Sequence, residues 1–201
     1  MTRGSILINL LKQVSFLLRI TRTRGIARRY FVVNGFDGAL TMLGLILGFL
    51  VSTPTELPVI ISACLGAAIA LGMSGISSAY ISEVAERRRE LAQLEAAMVT
   101  NLQESAHGEA ARWVPMLIAI VNGSSPLLIS LIILVPLWLS NNGIVLPLSP
   151  LHAAIIIALL LIFLLGAYLG RISGISWLLS GIKTLLVALV TAMLIYLFAR
   201  A

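Results

Sequence analysis

Acidic residues are scarce in this chain, with eight Asp and Glu against fourteen Lys and Arg, and charged residues make up only 11% of the total. So few charges cannot cover a globule in water, which excludes an ordinary soluble domain. Cysteine is rarer still. Cys64 stands alone, so no internal disulfide and no paired-thiol metal or redox motif can form. The two histidines, His107 and His152, lie far apart, and no Ser/His/Asp set or phosphate-binding Gly loop is present. The chain is therefore not expected to be an enzyme. A secretory signal is missing too, because Asn9, Lys12, Gln13 and Arg19 interrupt the apolar positions of residues 1–20 and no small-residue cleavage site follows.

What the chain has in abundance is apolar sequence: 59% hydrophobic residues and a mean hydropathy of +1.04. Five runs, at about 30–52, 57–82, 113–139, 151–170 and 174–199, reach the roughly 20 apolar residues that a membrane span needs. The expected fold is an all-α polytopic membrane protein of five transmembrane helices, with lipid as its solvent. The net charge of +6 then reports topology, and no nucleic-acid partner is expected. Seven of the fourteen basic residues precede the first run, Arg87, Arg88, Arg89 and Arg112 follow the second, and Arg171 follows the fourth. The links at 53–57 and 140–150 carry none. By the positive-inside rule the N-terminus is expected in the cytoplasm and the C-terminus, with Arg200, outside.

Residues 5–20 have the pattern of a basic amphipathic helix, suited to the cytoplasmic interface or to packing on the bundle. The short link at 53–57 makes the first two spans antiparallel neighbours. The second span has no Gly or Pro to stop it after residue 75, and Glu83 to Met98 are mostly strong helix formers. One helix is expected from about 58 to 98 or beyond, its charged end opening a cytoplasmic segment over 83–112. Pro126 and Pro136 predict a kink in the third span. Gly44 and Gly48, and Gly166, Gly170 and Gly174, recur every four residues, which permits close helix approach within one subunit or between two.

One acid lies inside an apolar run. Asp37, in Asn34-Gly35-Phe36-Asp37-Gly38-Ala39-Leu40-Thr41-Met42, would cost about 3 kcal/mol or more in hydrocarbon without a partner or a function. It is seven residues past Tyr30, roughly 10 Å from the interface at the helical rise. Met73, on the antiparallel neighbour, is expected at a similar depth. A hard carboxylate beside a polarizable thioether suits a borderline divalent ion such as Fe²⁺ better than Mg²⁺ or Ca²⁺. Asn34, Thr41 and Met42 could add ligands. Against this stands an ion pair between Asp37 and Lys183, which lies in the fifth run, and simple packing for Met73. Glu83, Glu86 and Glu90, spaced i, i+3, i+7, share a helix face that could collect cations. Arg87, Arg88 and Arg89 interleave them, so a solvated face of ion pairs is the other outcome.

The run Asn34-Gly-Phe-Asp37-Gly38-Ala-Leu-Thr41 resembles the Asp-Gly signature in the first span of the vacuolar iron transporter family, which includes the yeast vacuolar cation carrier. Met73 with Tyr80-Ile-Ser82-Glu83-Val-Ala-Glu86 is similar to its second span, although Ala79 stands where that family has Glu. Pro126-Leu127, Pro136, Gly166-Ala-Tyr-Leu-Gly170-Arg171 and Gly181-Ile-Lys183 continue the resemblance across about residues 28–199. It implies a homodimer exporting Fe²⁺, or Mn²⁺, from the cytoplasm in exchange for protons, through the cell membrane of a prokaryote or a vacuolar-type membrane of a eukaryote. No cofactor beyond the transported ion is implied. Asp37 and Met73 would line the path, with Glu86, and its neighbours Glu83 and Glu90, gathering the ion. A membrane scaffold whose charged helix recruits a partner is the alternative.

Overall fold

The computed structural model describes residues 23–52 and 55–198, so the amphipathic segment expected at 5–20 lies outside the described residues. Among the described residues five helices follow one another: α1 (Thr23–Val51), α2 (Leu57–Met98), α3 (Ala106–Asn141), α4 (Pro150–Ile172) and α5 (Trp177–Phe198). Among the described residues there is no strand. All five helices are long and apolar enough to cross a membrane. The chain is an all-helical protein of the membrane-spanning kind.

The helices differ from the apolar runs mainly at their ends. α1 is described from Thr23 and continues past the hydrophobic stretch through Arg28 and Arg29. α2 has 42 residues and, at the helical rise, is about 63 Å long. That is roughly twice the hydrocarbon thickness of a bilayer. It stops at Val99, whose positive φ of 51° turns the chain, while Thr100 N–H donates to the Glu95 carbonyl. This is a Schellman-type ending without the usual glycine. α3 opens on Ser105, whose Oγ accepts from His107 N–H and Gly108 N–H. It then runs through Pro126 and Pro136 as one helix. α4 opens on Ser149, which accepts from His152 N–H, with Pro150 in the first turn. It closes on Gly174, at φ +70°.

Two compact units make up the chain. One holds the described residues up to Phe31 together with Ser74–Asn122. In it, Ile26 and Tyr30 of α1 pack on Ala110, Val114 and Ile118 of α3, an i, i+4, i+8 stripe. The buried Asn122 donates through Nδ2 to the Gly75 carbonyl at 2.8 Å, tying α3 to α2.

The other unit holds Val32–Met73 and the described residues from Gly123 onward. Its core joins Met42, Leu43 and Ile46 of α1 to Cys64 and Ala68 of α2, Ile133, Leu134 and Leu137 of α3, and Ala154, Ala158 and Ile162 of α4. In lipid these side chains gain little from the hydrophobic effect, because the surrounding tails are equally apolar. Close packing therefore carries the fold, and small residues allow it. A Cβ on Gly38 would lie 2.7 Å from the Pro126 carbonyl oxygen and 2.8 Å from its Cα. Gly166 and Gly170 do the same work against Thr184 and Ser180 of α5, so that part of the glycine pattern serves packing inside one subunit. Thr184 Oγ1 also donates across the hairpin to the Ile162 carbonyl at 3.1 Å. Gly48, by contrast, faces open space.

Candidate functional site

Asp37 lies on the outward face of α1. Val32, Gly35, Gly38, Ala39 and Met42 are buried, which places the core on the opposite side and leaves Val33 and Asp37 exposed. Asp37 forms no hydrogen bond or ion pair among the described residues. Met42 is fully buried in the core, so its thioether is not available to Asp37 as the sequence suggested. Asn34 is engaged in interactions of its own. Thr41, one turn on from Asp37, is half-buried.

Met73 is exposed too, at 57%. α1 and α2 are joined by a short link and pack on each other through Met42, Leu43, Ile46, Ile60 and Cys64. Asp37 is 14 residues before the end of α1, and Met73 is 16 residues after the start of α2, from 51 − 37 and 73 − 57. At the helical rise these are about 21 and 24 Å from the shared link, so the carboxylate and the thioether stand at nearly one level. Both are open within a single protomer.

The other three candidates behave differently. Glu83 is buried, 7% exposed, and Arg87 lies beside it with Nε 3.6 Å from its carboxylate. The same arginine donates through NH1 to Glu90 Oε2 at 2.8 Å. The spacing that was expected to gather cations therefore brings Glu83 and Glu90 together around an arginine, in i,i+4 and i,i+3 pairs. Glu86 is exposed. Burial pushes the Glu83 carboxyl above its ordinary range; Arg87 opposes this, Glu90 and Glu86 add to it, and Arg29 also opposes it. Among the described residues no three His, Cys, Asp or Glu side chains come together as a metal cluster.

Lys183 is exposed on α5 and makes no ion pair with Asp37. A feature without a sequence signal of its own is a cleft where the charged half of α2 meets the start of α3, lined by Tyr80, Arg88 and Arg112 among others. The 80, 84, 88 spacing on α2 hints at a common face, but nothing in the sequence pairs it with Arg112.

The sequence is 32% identical over 176 residues to the uncharacterized protein MJ0645 of Methanocaldococcus jannaschii, covering 86% of this chain and 88% of that protein. The chain belongs to that protein's family. No family model matches the sequence. Membership extends over nearly all of both chains, so it includes the helices that carry Asp37, Met73 and the α2 extension.

Proposed function

We propose that this protein is a dimeric carrier that exports a divalent transition metal from the cytoplasm, with Fe²⁺ as the first candidate and Mn²⁺ as the second, in exchange for protons. The observation that carries the proposal is Asp37: a carboxylate in the middle of an apolar helix, facing outward, without a hydrogen-bond or ion-pair partner among the described residues. Such a group is costly in lipid, by about 3 kcal/mol or more, and a second copy seated on this face would remove it from the hydrocarbon. Met73, exposed at nearly the same level, supplies a thioether, and the two together suit a borderline ion rather than an all-oxygen one. Asp37 could also carry the exchanged proton, since a bound cation and a proton compete for one carboxylate.

In this proposal the N-terminus and the α2 extension are cytoplasmic, following the Lys and Arg bias of the links. Glu86 is the carboxylate on that extension best placed to meet an incoming ion, because Arg87 occupies Glu83 and Glu90. The small residue Ala79 is buried, so the donor set rests on Asp37 and Met73.

The test is metal-dependent flux in proteoliposomes, with Fe²⁺, Mn²⁺, Zn²⁺ and Ca²⁺ compared side by side. Asp37→Ala is expected to abolish flux while the protein still inserts and dimerises. Undiminished Fe²⁺ flux in that variant would sink the proposal. A scaffold role would instead need an Asp37–Lys183 pair, which the described residues do not form, and a double-mutant cycle showing strong stability coupling between the two would favour it.

A further inference from the structure

The charged half of α2 and the first turns of α3 line a cleft of about 480 Å³, a size that suits a small ligand or a lipid headgroup. On α2, Tyr80, Val84, Arg88, Leu91 and Glu95 recur every three or four residues and so form one face. On α3, Gly108, Ala111 and Arg112 share a face as i, i+3 and i+4. Apolar and polar groups both line the cleft.

Its charge is one-sided. Glu95 Oε1 accepts the Leu102 N–H at 2.9 Å and the Gln103 Nε2 at 3.5 Å, which commits that carboxylate to holding the loop. Arg88 and Arg112 have no hydrogen-bond or ion-pair partner among the described residues. The cleft thus holds two uncommitted guanidiniums and one committed carboxylate. A guanidinium presents a planar fork of donors that matches the oxygens of a phosphate, and an unpartnered pair in one cleft is a ready anion clamp. Tyr80 adds a hydroxyl to the same cleft.

The location narrows the ligand. Tyr80 and Trp113 are 48% and 58% exposed, where the apolar stretches of α2 and α3 meet their charged ends. Aromatic residues in that position mark the headgroup level of a bilayer. We propose that this cleft binds a phosphate-bearing anion, with Arg88 and Arg112 clamping the phosphate and Val84, Leu91 and Ala111 taking its apolar part. Such a phosphate comes from an anionic phospholipid or from a soluble phosphate ester. The site is independent of metal transport.

The test uses the full-length protein in nanodiscs. Retention of phosphatidylglycerol is followed by native mass spectrometry in mixed phosphatidylcholine and phosphatidylglycerol discs. Binding of glycerol 3-phosphate is titrated calorimetrically in phosphatidylcholine discs. The double substitution Arg88→Gln/Arg112→Gln is expected to weaken binding by about tenfold or more, as loss of charge-assisted hydrogen bonds predicts. Arg88→Lys/Arg112→Lys, which keeps the charge and loses the fork, should fall between. Arg89→Gln, one residue along the same helix but outside the cleft, should bind like the wild type. Loss confined to the lipid probe assigns the phosphate to the membrane, and loss confined to glycerol 3-phosphate assigns it to a soluble ester. Binding of neither probe by the wild type, equal binding by the wild type and the Gln double variant, or an equal loss in Arg89→Gln would overturn the proposal.

Discussion

Substituting alanine at two glycines of α1 should move stability in opposite directions. At Gly38 a Cβ would meet the Pro126 carbonyl oxygen at 2.7 Å, its Cα at 2.8 Å and its Cβ at 3.1 Å. The first two are backbone atoms of a helix and cannot swing aside, while comfortable carbon contacts lie near 3.5–4.0 Å. The helices must separate by roughly half an ångström or more, and overpacking of this kind costs about 1–3 kcal/mol. Alanine returns up to about 1 kcal/mol in helix propensity, leaving Gly38→Ala destabilised by about 1–2 kcal/mol. At Gly48 a Cβ meets nothing within 4 Å. Only the propensity gain remains there, so Gly48→Ala should be neutral or more stable by up to about 1 kcal/mol. Unfolding of both variants in detergent, followed by helicity against denaturant, measures the difference. A Gly38→Ala protein as stable as Gly48→Ala would refute the close approach of α1 to α3.

Two further outcomes follow from the α2 extension. Val99 holds a left-handed conformation that costs a β-branched residue about 1–2 kcal/mol, so Val99→Gly should raise thermal stability by roughly 1 kcal/mol; an unchanged or lowered melting temperature would count against the turn. Glu83 has its carboxyl pushed upward in the fold, so the folded state holds its proton to higher pH than the unfolded chain does. Its charging therefore weakens the fold as pH rises from the ordinary value of 4.5 through the raised one, and the protein should gain stability on acidification through that window. Glu83→Gln should remove this part of the pH dependence, which melting curves at a series of pH values would detect.

The fold was largely legible because each apolar run is long enough to span and is bounded by charged or turn-forming sequence. The length of α2 was legible from the lack of Gly and Pro after residue 75 and the wealth of helix formers there, and the helix does run to Met98. The inward face of each span was not. A helix that is apolar all round carries no period to say which side meets its neighbours, and only the packed structure separates exposed Asp37 from buried Met42 five residues later. The acidic face of α2 failed for a different reason. Spacing put Glu83, Glu86 and Glu90 on one side, but it could not say that the Arg87 side chain would reach both Glu83 and Glu90. The glycines divided similarly: Gly166 and Gly170 close onto α5, whereas Gly174 turns the chain and Gly48 touches nothing.

The two charges inside the apolar runs present different physical problems. Lys183 is six residues past Trp177, about 9 Å along α5, and side chains on a helix lean toward its N-terminus. Its four-carbon stem spans much of that distance, so the ammonium can reach the headgroups while the stem stays in lipid. Asp37 also leans toward the N-terminal end of its helix, but its carboxylate is a single methylene from the backbone and cannot cross a comparable depth. A lysine on a lipid-facing surface therefore finds its own solvent, and an aspartate does not. The cost at Asp37 has to be met by something brought to the α1 face: a proton, a cation, or polar groups of another copy. Each of these is a component of the proposed transport cycle, which is why one exposed carboxylate bears more on function here than the larger number of charges on the α2 extension.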